Sequence, residues 1–377
     1  MKVGNRMLDL IIKEGRTLTG EPLEVGIQSG KIVLISSVIN EPSRSVISAK
    51  ETIISAGWID SHVHCYEKMD LYYDFPDEIG IKKGVTTVID AGTAGEKNIG
   101  DFYQLAQQAK TNVFALMNIS EDGIVHQDEL ADLSKINQEK NLARLAQFPK
   151  FIVGIKARMS KTVVGDNGIL PLKLAKELQK KAKGIPLMVH IGSAPPTLDE
   201  VLSLLESGDI VTHCYNGKPN GIMDKNEKVK PFVLDAYSRG ILFDIGHGTD
   251  SFNFKVGKKS VQENFLCQTI STDIYHRNRE NGPVFDLATT MEKALYLGIS
   301  LENILKMVTE NPAKNFHLTT KGVLEVGKDA DLTLFKIKNK EKYLIDSNGN
   351  EAIVSKEIQP TMTIVGGKVY PVEEAKQ

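Results

Sequence analysis

The chain has 377 residues, with 46 basic against 48 acidic for a net charge of −2, and 41% of its residues are hydrophobic and 25% charged. That balance is ordinary for a globular protein and gives no electrostatic case for a nucleic-acid or membrane partner. No apolar run approaches the ~20 residues of a membrane span, and residues 1–6 lead into a strand-like stretch in place of a signal sequence. The expectation is a cytoplasmic protein whose partner is a small-molecule substrate, with a homo-oligomer left open. Cys65, Cys214 and Cys267 are an odd number at irregular spacing, which fits reduced thiols packed in a core better than disulfides or ligands.

Residues 8–55 alternate short apolar runs (8–12, 23–27, 31–35) with turn residues, the pattern of a small antiparallel sheet. The pattern returns at 327–335 and 361–370. Chain ends of globular proteins often lie close together, so residues 1–56 and 319–377 are expected to form one β-sandwich-like domain around an inserted middle, 57–318. That middle alternates apolar strand candidates with helically spaced segments. After the segment 57–65 come 85–90, 113–118, 151–156, 186–190, 209–213, 241–247 and 268–273, with helices read over 172–181, 285–297 and 301–309. Eight βα units predict an α/β fold, a (β/α)8 TIM barrel. A doubly wound open sheet would show a Gly-rich phosphate turn after its first strand, where this chain carries His62-Val63-His64.

Strand alternation puts His62 and His64 on one face, so two imidazoles converge from one short element. His62, His64, Lys156, His190, His213 and Asp273 all fall at or near the carboxyl ends of their strands, where barrel enzymes assemble active sites. Any one of them alone is more often a hydrogen-bonded or rim residue. Together, without a metal, they would leave several buried polar groups unpaired at ~1–3 kcal/mol each. Arg158, two residues after Lys156, shares its inward phase and lies nearer the mouth, where a guanidinium can pair a substrate carboxylate; the competing reading is a rim salt bridge. His247 is a second candidate substrate contact, against a packed histidine.

The order of His-x-His, Lys, His, His and Asp over successive strands resembles the amidohydrolase superfamily, in its two-metal branch with a carbamylated lysine. The likeness runs over the whole chain, including the phrase Gly57-Trp58-Ile59-Asp60-Ser61-His62 and the split β domain. It is similar to dihydroorotases, hydantoinases and D-aminoacylases, and most of all to the amidohydrolase/deacetylase group. By that resemblance His62 and His64 would hold a buried metal, His190 and His213 a more exposed one, and Lys156, as a carbamate, would bridge them. Asp273 would ligate the first metal and act as general acid and base. Two divalent ions, zinc by preference of these ligands, can share a hydroxide while polarising a carbonyl, so the implied class is hydrolysis at a carbonyl carbon.

Departures narrow the substrate. Dihydroorotases carry an Arg two residues beyond the His-x-His pair, and here that position is Tyr66. Lys156 argues against a one-metal deaminase. The reading is a deacetylase-like hydrolase acting on an acyclic N-acyl or O-acyl bond of a small carboxylate. An adenine or related deaminase is the alternative, followed by a cyclic amidase and a non-catalytic scaffold.

Overall fold

The computed structural model describes residues 7–372, so the reading of residues 1–6 and the last residues of the C-terminal segment lie outside the described chain. Five strands open it: β1 (Leu8–Arg16), β2 (Pro22–Gln28), β3 (Lys31–Ser36), β4 (Ser43–Ser48) and β5 (Ile53–Ala56). Seven follow between helices: β6 (Trp58–Val63), β7 (Val85–Ala91), β8 (Asn112–Asn118), β9 (Ile152–Met159), β10 (Leu187–Ile191), β11 (Ile210–Thr212) and β12 (Leu242–Asp244). Three close it: β13 (Leu332–Ile345), β14 (Glu351–Val365) and β15 (Lys368–Pro371).

The two ends share one mixed sheet in the order β15-β14-β13-β5-β1-β2-β3, with β4 beside β1. The join is antiparallel, Leu332 to Phe335 of β13 pairing with Ala56 to Ile53 of β5. Not every pair is antiparallel as expected, because β4 and β5 both run parallel to β1. Leu10, Ile12, Val25, Ile27, Leu332, Leu334 and Ile364 pack as its core. The hairpin β13–β14 is far longer than its apolar sequence signal, because the outer half of β13 is lysine-rich and exposed.

The seven inserted strands form a parallel sheet in sequence order, β6 to β12. Most of their residues are buried, as parallel strands covered on both faces require. The sheet curls, and the segment 269–274 lies between its two edges. A single bridge joins Asp244 to Thr269 and another joins Val63 to Ile274. Side chains take over ladder bonds here: Thr272 N donates to Asp60 Oδ1 at 3.1 Å and Gly246 N to Ser271 Oγ at 3.1 Å. The sequence reading makes this segment a strand of the barrel. Backbone bonds such as His247 N to the Ser271 carbonyl at 3.1 Å and His64 N to the Ile274 carbonyl at 2.9 Å tie it to both edges, while the side-chain bonds interrupt a regular ladder.

The helices read over 172–181, 285–297 and 301–309 appear as Leu170–Lys181, Leu287–Leu297 and Leu301–Met307. All three cysteines are free and buried. Among the described residues no helix is long and apolar enough to cross a membrane.

Candidate metal centre and substrate cavity

The carboxyl ends of the parallel strands open into a cavity of about 480 Å³. His62, His64, Lys156, His190, His213 and Asp273 all line it, although they come from distant parts of the chain. His62 lies on β6 with His64 just beyond it, Lys156 on β9 and His190 on β10, each pointing inward by the two-residue period. His213 follows β11 with φ 69° and Asp273 has φ 50°. Left-handed backbone at two non-glycine residues is held in place by its surroundings, as at functional sites generally: Asp273 N donates to the His62 carbonyl at 2.7 Å.

Hydrogen-bond direction decides which imidazole nitrogen faces the cavity. Thr212 has one hydroxyl proton and donates it to Asp244 Oδ2 at 2.8 Å, so in its 2.9 Å contact with His62 Nδ1 the imidazole is the donor. Thr93 likewise donates to Asp90 Oδ2 at 2.8 Å and accepts from His64 Nδ1 at 2.7 Å. His213 Nδ1 donates to the Gly246 carbonyl at 2.6 Å. In their neutral form all three histidines therefore turn a bare Nε2 inward, the arrangement of metal-ligating imidazoles. Burial, reinforced by the charge of Lys156, holds the His62 imidazole well below its ordinary range, which keeps it neutral. Burial likewise pushes His213 down to about 4.

Asp273 Oδ1 is 3.0 Å from His64 Nε2 and 3.3 Å from His62 Nε2. Bare nitrogens and a carboxylate oxygen this close repel unless a proton or a metal ion lies among them. One ligand atom from each of His62, His213 and Asp273 falls within 4.8 Å of the others, and together they could hold a metal ion. His64 joins this group through Asp273, and His190 through ring contact with His213 at 4.5 Å. The donor set thus fits a divalent metal.

Lys156 is 1% exposed, with Nζ 3.1 Å from His62 Nε2 and 3.5 Å from Met188 Sδ. Burial, the dominant influence, pushes its amine down to about 7. Glycines make room around the group. A Cβ at Gly248, where φ is +58°, would lie 2.4 Å from Asp273 Oδ2, and one at Gly246, φ +49°, would lie 2.1 Å from Thr212 Oγ1.

Arg158 lines the cavity but is not a free rim cation. Its Nη1 lies 3.2 Å from Glu129 Oε2, its Nη2 donates to Gln127 Oε1 at 2.8 Å, and both ion-pair partners are buried. His247 is placed elsewhere: it is fully buried outside the cavity lining, its ring stacked on Phe252 at 4.6 Å. Its Nε2 contacts Lys293 Nζ at 2.8 Å and its Nδ1 the Gly248 carbonyl at 2.9 Å, which leaves neither nitrogen for a substrate. Its strand-end position suggested the cavity, but β12 stops at Asp244 and the turn through Gly246 directs the ring outward.

The sequence reading missed Tyr72, Gln127, Lys218 and Asp250, which also line the cavity. The usable signal for Lys218 was its place in the loop after β11, since such loops build the sites of this architecture. The two threonines carry a direct test. Thr212→Val or Thr93→Val is expected to weaken metal affinity ~10–100-fold by releasing the imidazole, while Thr→Ser at either position retains it, as read by metal titration.

This fold and donor set define a class: the chain belongs to the amidohydrolase superfamily, whose members are hydrolytic enzymes. Residues 324–371 match a family described as a deacetylase-like composite domain. A deacetylase from Enterococcus faecalis is 58% identical over 96% of this chain and 99% of its own, and deacetylase Atu3266 from Agrobacterium fabrum is 37% identical over 90% and 84%. A solved structure described as an adenine deaminase is 58% identical, with TM-score 0.95 over 97% of this chain and 100% of that one. Another, described as a dihydroorotase, is 34% identical, with TM-score 0.88 over 96% and 99%. The two comparisons at 58% identity thus bear different functional descriptions. The adenine deaminase of Oenococcus oeni is only 23% identical, and the match spans 54% of its length.

Proposed function

We propose that the protein is a metal-dependent, deacetylase-like hydrolase that cleaves an acyclic N-acyl or O-acyl bond of a small carboxylate, acting in the cytoplasm on a closed (β/α)8 barrel with a β-sandwich formed by the chain ends. The observation that carries this reading is the convergence of bare imidazole nitrogens, Asp273 and buried Lys156 in one cavity. Two divalent ions, zinc, would be held by His62, His64 and Asp273 on the inner side and by His190 and His213 on the outer, with Lys156 carbamylated between them. A neutral amine is what adds to carbon dioxide, and the resulting anion suits a site of cations. Metal ions bound there supply Lewis-acid polarisation of the acyl carbonyl and a water that ionises near neutral pH.

The chain's own groups do the rest. Asp273 Oδ2 accepts the proton of the attacking water and returns it to the leaving nitrogen or oxygen as the acyl bond breaks, so one carboxyl serves both halves of the reaction. Arg158, fixed by Glu129 and Gln127, offers its remaining N–H groups to the substrate. The likeness to the deacetylase of Enterococcus faecalis supports acetyl as the acyl group. A second reading, adenine or related deamination, is favoured by the 58%-identical structure described as an adenine deaminase.

One experiment separates them. Zinc-loaded protein is given N-acetyl and O-acetyl acids, adenine and cyclic amides, with carboxylate and ammonia release assayed separately. Acetate without ammonia is the expected result. Ammonia from adenine would establish the second reading, and no turnover of any compound would leave a scaffold.

A further inference from the structure

We propose that Lys218 and Asp250 form an exchangeable ion pair at the cavity mouth, in which the substrate's carboxylate takes the place of Asp250 on the Lys218 ammonium. The inference rests on the proposed carboxylate-bearing substrate and names the group that recognises it.

Two cations among the described residues line the cavity beside Lys156, and they differ in what holds them. Arg158 is paired with Glu129, whose side chain is 2% exposed. A substrate that displaced Glu129 would leave a buried carboxylate without its partner, which is strongly unfavourable. Arg158 can therefore add hydrogen bonds to a ligand but cannot exchange its counter-ion. Lys218 differs on each point. Its Nζ pairs with Asp250 Oδ2 at 3.0 Å, and the Asp250 side chain is 74% exposed. An exposed pair of this kind contributes little, since water solvates the released carboxylate almost as well.

The backbone around the pair is fixed, so only side chains need to move. Lys218 N donates to Asn216 Oδ1 at 2.9 Å, and Asn216 Nδ2 donates to the His213 carbonyl at 2.8 Å. That buried asparagine ties Lys218 to a candidate metal ligand. Asp250 sits in a loop gripped from outside by the tip of the β13–β14 hairpin. Ser347 Oγ donates to the Gly248 carbonyl at 3.0 Å, Phe254 N to Asp346 Oδ2 at 3.0 Å, and Asn253 Nδ2 to Asn348 Oδ1 at 2.8 Å. Ser251 Oγ, 3.4 Å from Asp250 Oδ1, offers the displaced carboxylate a second partner.

The exchange gives the two residues opposite signs. Lys218→Met removes the attraction, whereas Asp250→Asn removes a competitor. The test compares kcat/KM for N-acetylalanine, as both enantiomers, with that for its primary amide in the zinc-loaded enzyme. Wild type should prefer the acid. Lys218→Met should lower the acid-over-amide ratio about tenfold, the scale of one hydrogen bond to a charged group. Asp250→Asn should lower KM for the acid by roughly two- to fivefold and leave that for the amide nearly level, a gain that loss of a merely structural pair would not produce. A wild-type preference that survives Lys218→Met, or a KM for the acid that rises in Asp250→Asn, would overturn the exchange while leaving the carboxylate substrate standing. Equal treatment of acid and amide by wild type, or turnover of neither, would remove the carboxylate reading itself and this inference with it.

Discussion

Replacing Asp273 with Asn is expected to lower kcat by ~10²–10⁴ while the metal is largely retained. The substitution isolates the proton-transfer role for structural reasons. Asp273 has φ 50°, and asparagine is among the few residues that tolerate this backbone region, so the turn is preserved. The backbone bond from Asp273 N to the His62 carbonyl does not involve the side chain, and Gly248, which has no Cβ to crowd Oδ2, leaves the asparagine the same space. An amide oxygen can still face His62 and His64 as a weaker ligand, but an amide cannot accept the water's proton. Burial pushes the Asp273 carboxyl upward, and in the metal-free protein a proton shared with His64 Nε2, with the electrostatic influence of the groups around it, outweighs it and holds the group below the usual carboxylate range. It is therefore ionised and ready to accept a proton at neutral pH. The measurements are steady-state kinetics and metal content on one preparation. Metal loss with unchanged activity per bound ion would assign Asp273 to ligation alone.

The site was legible where strand periodicity fixed side-chain direction. His62, His64, Lys156 and His190 lie on or just beyond strands, where alternate residues share a face. His213 and Asp273 also line the cavity although they lie beyond regular strand, because the turns that carry them point back into it. His247 shows how fragile that logic is. The strand before it ends three residues earlier, and one left-handed glycine sends its ring toward Phe252 and Lys293. Arg158 had the right direction but a hidden partner. Glu129 lies 29 residues away in a loop, and no local pattern links the two. The same holds for the carboxylate–threonine supports: Asp244 reaches Thr212 across neighbouring strands, and Asp90 reaches Thr93 around a tight turn. The outer half of the β13–β14 hairpin was invisible for a different reason, since its exposed strand residues are charged and lack the apolar alternation that marks a half-buried strand.

Lys156→Ala is expected to abolish most activity, by about two orders of magnitude or more, beyond the ~10–100-fold typical of losing an outer partner of a metal ligand. On the proposed reading a carbamate on Lys156 would join two ion positions, so its loss should lower metal content together with rate. Small carboxylic acids added to the variant should restore part of both, because a free carboxylate can occupy the space the side chain vacates. Metal-free protein depleted of carbon dioxide gives an independent readout. There the unmodified amine titrates near 7, against an ordinary value of 10.5 in the unfolded chain. Between those values the unfolded state holds the extra proton, so this group makes stability rise with pH from about 7 toward 10, and below about 7 its burial penalty is fully present. Lys156→Met should flatten that rise relative to wild type in denaturant melts. Supplying bicarbonate and zinc to wild type should remove it as well, because a carbamate does not titrate as an amine. A pH-dependence identical in wild type and Lys156→Met, with activity unchanged, would place Lys156 outside the chemistry and leave the imidazoles and Asp273 as the whole of the metal site.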